Sequence, residues 1–318
     1  MNHALASKLI KIKRILSGYQ KDGESLAGRL TYLSRLILGK TNACRHLTVF
    51  PDDVFLVSYP RSGNTWARFL LGNLISQDEA VTFLNIEHKI PDIYCTRNRE
   101  LKRIPRPRLL KSHEVFDARY KKVIYIVRDP RDVAVSYYYW NVKRRYLPEG
   151  YSIERSVSSF IAAELEPECG SWGEHVACWV APRQLTGAML IVRYEDMLEN
   201  PEHELGKIAA FLNINPTEGR LARAVSLSSA ENMRVLERKE SHSWRTTSKT
   251  RQDKPFVGPA MAGRWRSELP ESSVAEIESA WWPVMRLVGY SPMTCSGPTT
   301  LAGEFESLVT NLCPSNVS

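Results

Sequence analysis

Cysteine is sparse and follows no pattern in this chain. The six cysteines, Cys44, Cys95, Cys169, Cys178, Cys295 and Cys313, form no Cys-x-x-Cys pair and no zinc-like spacing. They read as reduced thiols, which points to a cytoplasmic setting rather than a disulfide framework. Long hydrophobic runs are missing as well. No uninterrupted apolar stretch approaches the ~18 residues of a membrane span. The opening Met1-Asn2-His3-Ala4 carries neither an apolar signal core nor a cleavage site, so no secretory leader is expected. No acidic cluster suggests a magnesium site, and no metal is expected.

The positive charge is concentrated rather than spread. The net charge is +8, and residues 1–40 hold eight basic side chains (Lys8, Lys11, Lys13, Arg14, Lys21, Arg29, Arg35, Lys40) against Asp22 and Glu24. The remainder is close to neutral, so a nucleic-acid surface is not expected. Leu5, Leu9, Ile12 and Leu16 share one helical face amid the lysines. Such a helix either packs on the domain with its basic face solvated or makes peripheral contact with an anionic membrane. Leu26–Leu38 reads as a second helix before the break at Gly39-Lys40-Thr41-Asn42.

Hydrophobic residues at 43% and charged residues at 25% are ordinary for a soluble globular protein. Beyond residue 40, strands alternate with helices. Val54–Tyr59, Arg108–Ser112, Lys122–Val127 and Met189–Arg193 read as buried strands. Helices are expected over Ala67–Ile75, Arg131–Arg144, Ile153–Leu165, Trp172–Gln184 and Pro201–Leu212, with one more opening at Asn215-Pro216. Pro130 suits a first helical turn. The pattern predicts an α/β fold, a single domain over 41–290 with a central, mostly parallel sheet flanked by helices. Residues 1–40 are expected as a basic helical segment and 291–318 as a tail. Lys239–Gly263, long and rich in polar residues, reads as a functional lid.

The chemistry gathers at the strand ends. Between the first strand and its helix lie Pro60, Arg61, Ser62, Gly63, Asn64 and Thr65, a P-loop-like strand–loop–helix. Amides of the turn and about half a positive charge from the helix dipole make an anion cradle there. Asn64 follows Gly63 where a nucleoside triphosphatase needs lysine, which argues against a kinase or ATPase. Arg128 stands before the helix at Pro130, with Ser136 two turns on, and makes a second anion site. Lys111 and His113 end the second strand. His113, with an ordinary pKa near 6.5, is the natural general base. Two anion sites at one sheet edge match a ligand with phosphates at two positions.

These residues resemble a known family. Tyr59-Pro60-Arg61-Ser62-Gly63-Asn64-Thr65-Trp66 is similar to the 5′-phosphosulfate loop of the sulfotransferases that use PAPS (3′-phosphoadenosine 5′-phosphosulfate). Arg128-Asp129-Pro130 through Ser136-Tyr137-Tyr138 resembles their 3′-phosphate motif, and Lys111-Ser112-His113 the segment of their catalytic histidine. Gly170-Ser171-Trp172 with His175 and Trp179, then Arg193–Met197 and Met261–Trp265, continue the match from about Val54 to Tyr290, closest to the cytosolic branch.

The resemblance implies sulfuryl transfer from PAPS to a hydroxyl or amine of a small-molecule or glycolipid acceptor, with His113 as base. It implies that Arg61, assisted by Ser62, Gly63, Asn64 and Thr65, holds the 5′-phosphosulfate. Trp66 would face adenine, Arg128 and Ser136 the 3′-phosphate, and Tyr194 the nucleotide. Lys111 would offset charge on the sulfuryl oxygens, while Ser228, Gly263 and Arg264 would complete the nucleotide site.

The chain departs from the family at several positions. Arg61 replaces a lysine and cannot donate a proton to the leaving group. Gly258-Pro259-Ala260 stands where Arg-Lys-Gly would clamp the 3′-phosphate, leaving Arg264, Lys254 or Arg251 to substitute. Ser228 and Ala230 stand for threonine and an aromatic, and the dimerisation pattern is missing around Arg266–Ala275. An alternative is therefore a weakly active or inactive nucleotide-binding protein of the same fold. The acceptor pocket is expected among Ile86–Arg99, Tyr146–Tyr151 and Lys239–Gly258.

Overall fold

The computed structural model describes residues 43–76, 78–164, 167–182 and 188–294. Its central strand, β1 (Val54–Ser58), is buried along its whole length. It lies between β2 (Leu109–Ser112) and β3 (Lys122–Val127), and β4 (Met189–Arg193) extends the sheet past β3, in the order β2-β1-β3-β4. Every pairing is parallel. A strand with neighbours on both sides and cover on both faces can be apolar at every position, which is why Val-Phe-Leu-Val shows no alternation.

The cover comes from helices α1 (Asn64–Ile75), α2 (Pro130–Lys143), α3 (Ile153–Ile161), α4 (Trp172–Val180), α5 (Tyr194–Glu199), α6 (Pro201–Phe211), α7 (Glu218–Leu227), α8 (Ala230–Glu240) and α9 (Glu271–Leu287). Alternation of side chains still sorts residues between the sheet faces. Val54, Leu56, Ile124, Ile126 and Val192 pack with Leu70, Leu71 and Leu74 of α1, Leu205 and Ile208 of α6, and Ala224 of α7. The opposite face is aromatic. Phe55 stacks on Tyr120 with ring centroids 3.5 Å apart, and Tyr125 packs against Trp179 at 6.4 Å.

The expected strands at 122–127 and 189–193 agree with the structure, while the second is one residue shorter at its start. The first helix begins at Asn64, three residues earlier than its apolar pattern suggests, because Gly63 takes a left-handed conformation (φ 96°) and caps it. Asp129 caps α2 by accepting from the Arg131 N–H at 2.9 Å, with Pro130 in the first turn as expected. The helices expected to reach Leu165 and Gln184 end at Ile161 and Val180, and the one expected from Asn215 starts at Glu218. Helices α5, α8 and α9 were not anticipated by the apolar periodicity.

Contacts divide the described residues into two compact units, 43–48 with 93–104 and 49–92 with 105–294. In the first, Asn98 accepts from the Thr48 N–H and donates to the His46 carbonyl, each at 3.0 Å. The second holds the sheet. The basic segment 1–40 and the tail beyond residue 294 lie outside the described residues.

The residue preceding β2 makes a fully buried ion pair with the residue preceding β1. Arg108 Nε lies 2.8 Å from Asp53 Oδ1 and its Nη2 lies 2.5 Å from Oδ2, with both side chains 0% exposed. Removing one partner strands a charge at a cost of about 3–5 kcal/mol. Asp53→Ala should lower the unfolding free energy in urea by about that much, and Asp53→Ala with Arg108→Met should recover most of it. A single variant that unfolds like the parent would show that the pair bears no structural weight.

Candidate active site

Strand register gathers the candidate residues. Val57 pairs with Ser112, and Val127 with Arg193. Ser58 and His113 therefore leave the sheet side by side, as do Arg128 and Tyr194 on the neighbouring pair. All four sit at the carboxyl edge, where ligands bind in open parallel sheets.

The loop after β1 turns on two left-handed residues, Arg61 (φ 68°) and Gly63 (φ 96°). At Gly63 no side chain fits, because an added Cβ would strike the Tyr194 ring, 2.8 Å from Cε2. The amides opening α1 face the loop, with Thr65 in the first turn. Ser62 is 0% exposed, and neither its Oγ nor the buried Nε of Arg128 has a hydrogen-bond partner among the described residues. A buried donor without a partner costs about 1–3 kcal/mol. Two such donors beside a helix N-terminus suit an anion, so these residues fit a ligand bearing phosphate or sulfate. Arg128 is further held by its Nη1 donating to the Arg61 carbonyl at 3.3 Å and by lying 4.2 Å over the Tyr194 ring.

His113 is fixed from both sides. Its Nδ1 lies 2.6 Å from the Ser58 carbonyl. A carbonyl only accepts, so Nδ1 carries the proton and Nε2 is the basic nitrogen. The His113 carbonyl accepts from His175 Nε2 at 3.3 Å, and His175 Nδ1 in turn accepts from the Tyr125 hydroxyl at 2.8 Å. Burial holds His175 down to about 3, so it stays neutral and keeps this tautomer. His113 lies well below the ordinary imidazole value, first through burial and then through the nearby Lys111 charge, against the pull of the Ser58 hydrogen bond. Asn64 turns inward, donating to Ser58 Oγ at 3.2 Å and to the Leu56 carbonyl at 3.4 Å. Its amide thus braces the strand end instead of lining the cradle.

The remaining expected residues divide between the edge and its supports. Lys111 forms a buried ion pair with Asp92 at 2.8 Å. Burial alone would raise Asp92, but the Lys111 and Arg68 charges outweigh it and hold the carboxyl below its ordinary value. Trp66 donates from Nε1 to the Ser228 carbonyl at 3.0 Å and meets Tyr194 edge-on at 5.6 Å. Ser228, expected at the nucleotide, is 0% exposed, and its hydroxyl accepts from Asn73. Its visible role is to fix Trp66. Arg61, expected on the 5′ group, instead donates from Nε to Ser136 Oγ at 3.1 Å, and its guanidinium lies 4.9 Å from the Phe256 ring centroid and 5.1 Å from that of Trp140.

Three buried groups that the sequence pattern did not single out fix the segment over 251–265. Lys143 Nζ donates to the carbonyls of Arg251 (2.7 Å) and Lys254 (2.5 Å). Glu237 accepts from the amides of Phe256 (2.5 Å) and Val257 (2.9 Å). Asp132 accepts from those of Gly263 (2.7 Å) and Trp265 (3.1 Å). The three cations offered as substitutes for the missing clamp all have carboxylate partners: Arg264 with Glu268, Lys254 with Glu149, and Arg251 with Glu149 and Asp253. A lone lysine, glutamate or aspartate inside a helix looks like any solvated charge in sequence, so no local pattern marks these anchors.

The relatives agree with this architecture. Residues 51–289 match the family model described as a sulfotransferase domain. Mouse sulfotransferase 1 family member D1 is 30% identical over 250 residues, covering 72% of this chain and 81% of that protein. Mouse sulfotransferase 1B1 is 28% identical over 247 residues, with 73% and 82% covered. Among solved structures, mouse sulfotransferase SULT7A1 complexed with PAP superposes with a TM-score of 0.62 at 24% identity, over 77% of this chain and 87% of that one. Retinol dehydratase in complex with androsterone and the inactive cofactor PAP gives 0.59 at 18%, over 85% and 88%. At those identities the superpositions speak to the fold. The domain match, spanning most of the chain, makes it a member of the sulfotransferase family.

Proposed function

We propose that the protein transfers a sulfuryl group from PAPS to a hydroxyl or amine on a small-molecule or glycolipid acceptor, with His113 as general base and without a metal. The observation that carries this reading is the 2.6 Å contact of His113 Nδ1 with the Ser58 carbonyl. It leaves Nε2 to take a proton at the edge of a loop whose buried donors suit an anion. The PAP found in the solved relatives supports PAPS as the donor.

PAPS would supply an activated sulfur whose bond to the bridging phosphate oxygen breaks as the acceptor oxygen attacks. His113 Nε2 takes the acceptor proton, and the bond electrons pass to the 5′-phosphate of the departing bisphosphate. The loop amides, Ser62 Oγ and Thr65 hold the 5′ end, so charge arising on the leaving oxygen meets donors already oriented toward it. Lys111 adds a positive charge next to the base, tempered by Asp92. Arg128 and Ser136 hold the 3′-phosphate, Tyr194 lies under the loop, and Trp66 offers its face to adenine. Gly263 and Arg264 shape the closing segment. Ala230 supplies no second aromatic face, so weak nucleotide binding accompanies this reading.

His113→Ala should reduce transfer from labelled PAPS by at least about a hundredfold while bisphosphate binding, followed by calorimetry, changes only a few-fold. Undiminished turnover would remove His113 from the base role. Wild-type binding without transfer across a broad acceptor panel would favour the inactive nucleotide-binding alternative, and product from ATP with magnesium alone would favour a kinase.

The acidic limb of kcat/KM should fall below pH 6.5, the ordinary imidazole value, because burial and Lys111 lower the His113 pKa. A lowered pKa keeps the imidazole unprotonated, and so able to accept a proton, to more acidic pH. A limb centred at or above 6.5 that persists in His113→Ala would assign the titration to another group.

A further inference from the structure

The smaller unit, residues 43–48 with 93–104, carries a run of cations on its surface. Arg97, Arg99, Lys102 and Arg103 stand there against one carboxylate, Glu100, and all five side chains are exposed. Arg97 pairs with Glu100 at 3.5 Å. Arg99, Lys102 and Arg103, which share a face at helical spacing, have no carboxylate partner among the described residues. Arg106 and Arg108, next in sequence, are paired with Asp52 and Asp53, so the run ends at Arg103. Its backbone is fixed: the amides of Ala43 and Cys44 donate to the carbonyls of Thr96 and Ile93 at 2.9 and 3.0 Å, Asn98 joins Thr48 to His46, and Leu101 is 0% exposed.

We propose that Arg99, Lys102 and Arg103 form a docking surface for an anionic lipid bilayer. Chain continuity supports it. Residues 1–40, with eight basic and two acidic side chains, join the fold at Ala43, whose amide is bonded to Thr96 beside the run. Residues 97–103, with four cations and one carboxylate, add +3 to the +6 of that segment, which together exceed the net +8 of the whole chain. The excess positive charge of the protein therefore sits in two stretches that meet at one place. A bilayer fits them better than a nucleic acid does. Leu5, Leu9, Ile12 and Leu16 stand at helical spacing among Lys8, Lys11, Lys13 and Arg14, and a headgroup boundary takes up an apolar stripe together with its cations. A phosphate backbone engages the cations alone. A single weak anchor gives only marginal membrane binding, so a basic surface on the folded unit supplies the second signal that the terminal segment lacks.

The test is sedimentation of the full chain with vesicles of phosphatidylcholine containing phosphatidylserine, and with vesicles of phosphatidylcholine alone. The protein should partition onto the anionic vesicles only, and less as salt is raised. Replacing Arg99, Lys102 and Arg103 together by alanine should weaken that partition about a hundredfold, at about 1 kcal/mol for each cation near the surface. Arg99→Lys with Arg103→Lys, which keeps the charge, should bind like the parent. Thermal melting checks that each variant folds, and Arg103→Gln alone, expected to bind about fivefold more weakly, serves if the triple variant does not. A folded triple variant that sediments like the parent would overturn the assignment, as would equal binding of the parent to both kinds of vesicle or to neither. Tighter binding to a duplex oligonucleotide than to anionic vesicles at matched phosphate, lost with the same three cations, would give the surface to nucleic acid instead.

Discussion

The hydrogen bond from His113 Nδ1 to the Ser58 carbonyl ties the loops of the carboxyl edge to the sheet. It spans adjacent strand ends, so it exists only while β1 and β2 keep the register in which Val57 faces Ser112. A slip of one residue would carry His113 to the other face of the sheet. The buried Arg108–Asp53 pair fixes that register from the opposite end of the strands. His175 and Tyr125 then hold the His113 backbone, so the imidazole is oriented from its ring and from its main chain alike.

Charge at this edge is managed by pairing some groups and leaving others with donors to spare. Arg131 lies between Asp129 and Glu278 at 2.6 Å from each and stacks on Trp265 at 4.0 Å, which makes it a structural joint between α2 and α9. Lys111 is compensated by Asp92. Arg128 and Ser62, by contrast, keep buried donor atoms without partners among the described residues. One charged and one hydroxyl donor are therefore left at this edge, where burial strengthens their interaction with an anion.

Much of this was legible because it follows from local chemistry. Continuous apolar runs marked three strands, and Pro130 marked the start of α2. The strand–loop–helix at Arg61–Thr65 was recognisable from residue type alone, although the helix begins within it at Asn64 because Gly63 supplies the cap. Helix α9 was harder to see. Its buried Val274, Ile277, Trp281 and Met285 recur at helical spacing, but Pro283 stands inside the helix and reads as a breaker. The direction of the Arg61 side chain and the burial of Ser228 depend on Phe256 and Asn73, far along the chain, and no local pattern encodes them. Residue types announced which groups would meet at the edge; long-range packing determined which would face inward.

The anchors of the closing segment hold its backbone. Lys143 grips two carbonyls, while Glu237 and Asp132 grip four amides. Contacts of that kind are indifferent to which side chain the gripped residue carries. The path of the segment is therefore written in α2 and α8, not in its own letters. Its exposed positions, Gln252, Pro259 and Ala262 among them, can therefore drift with little risk to the scaffold, whereas Phe256 and Trp265 are also fixed by packing on Trp244 and Arg131.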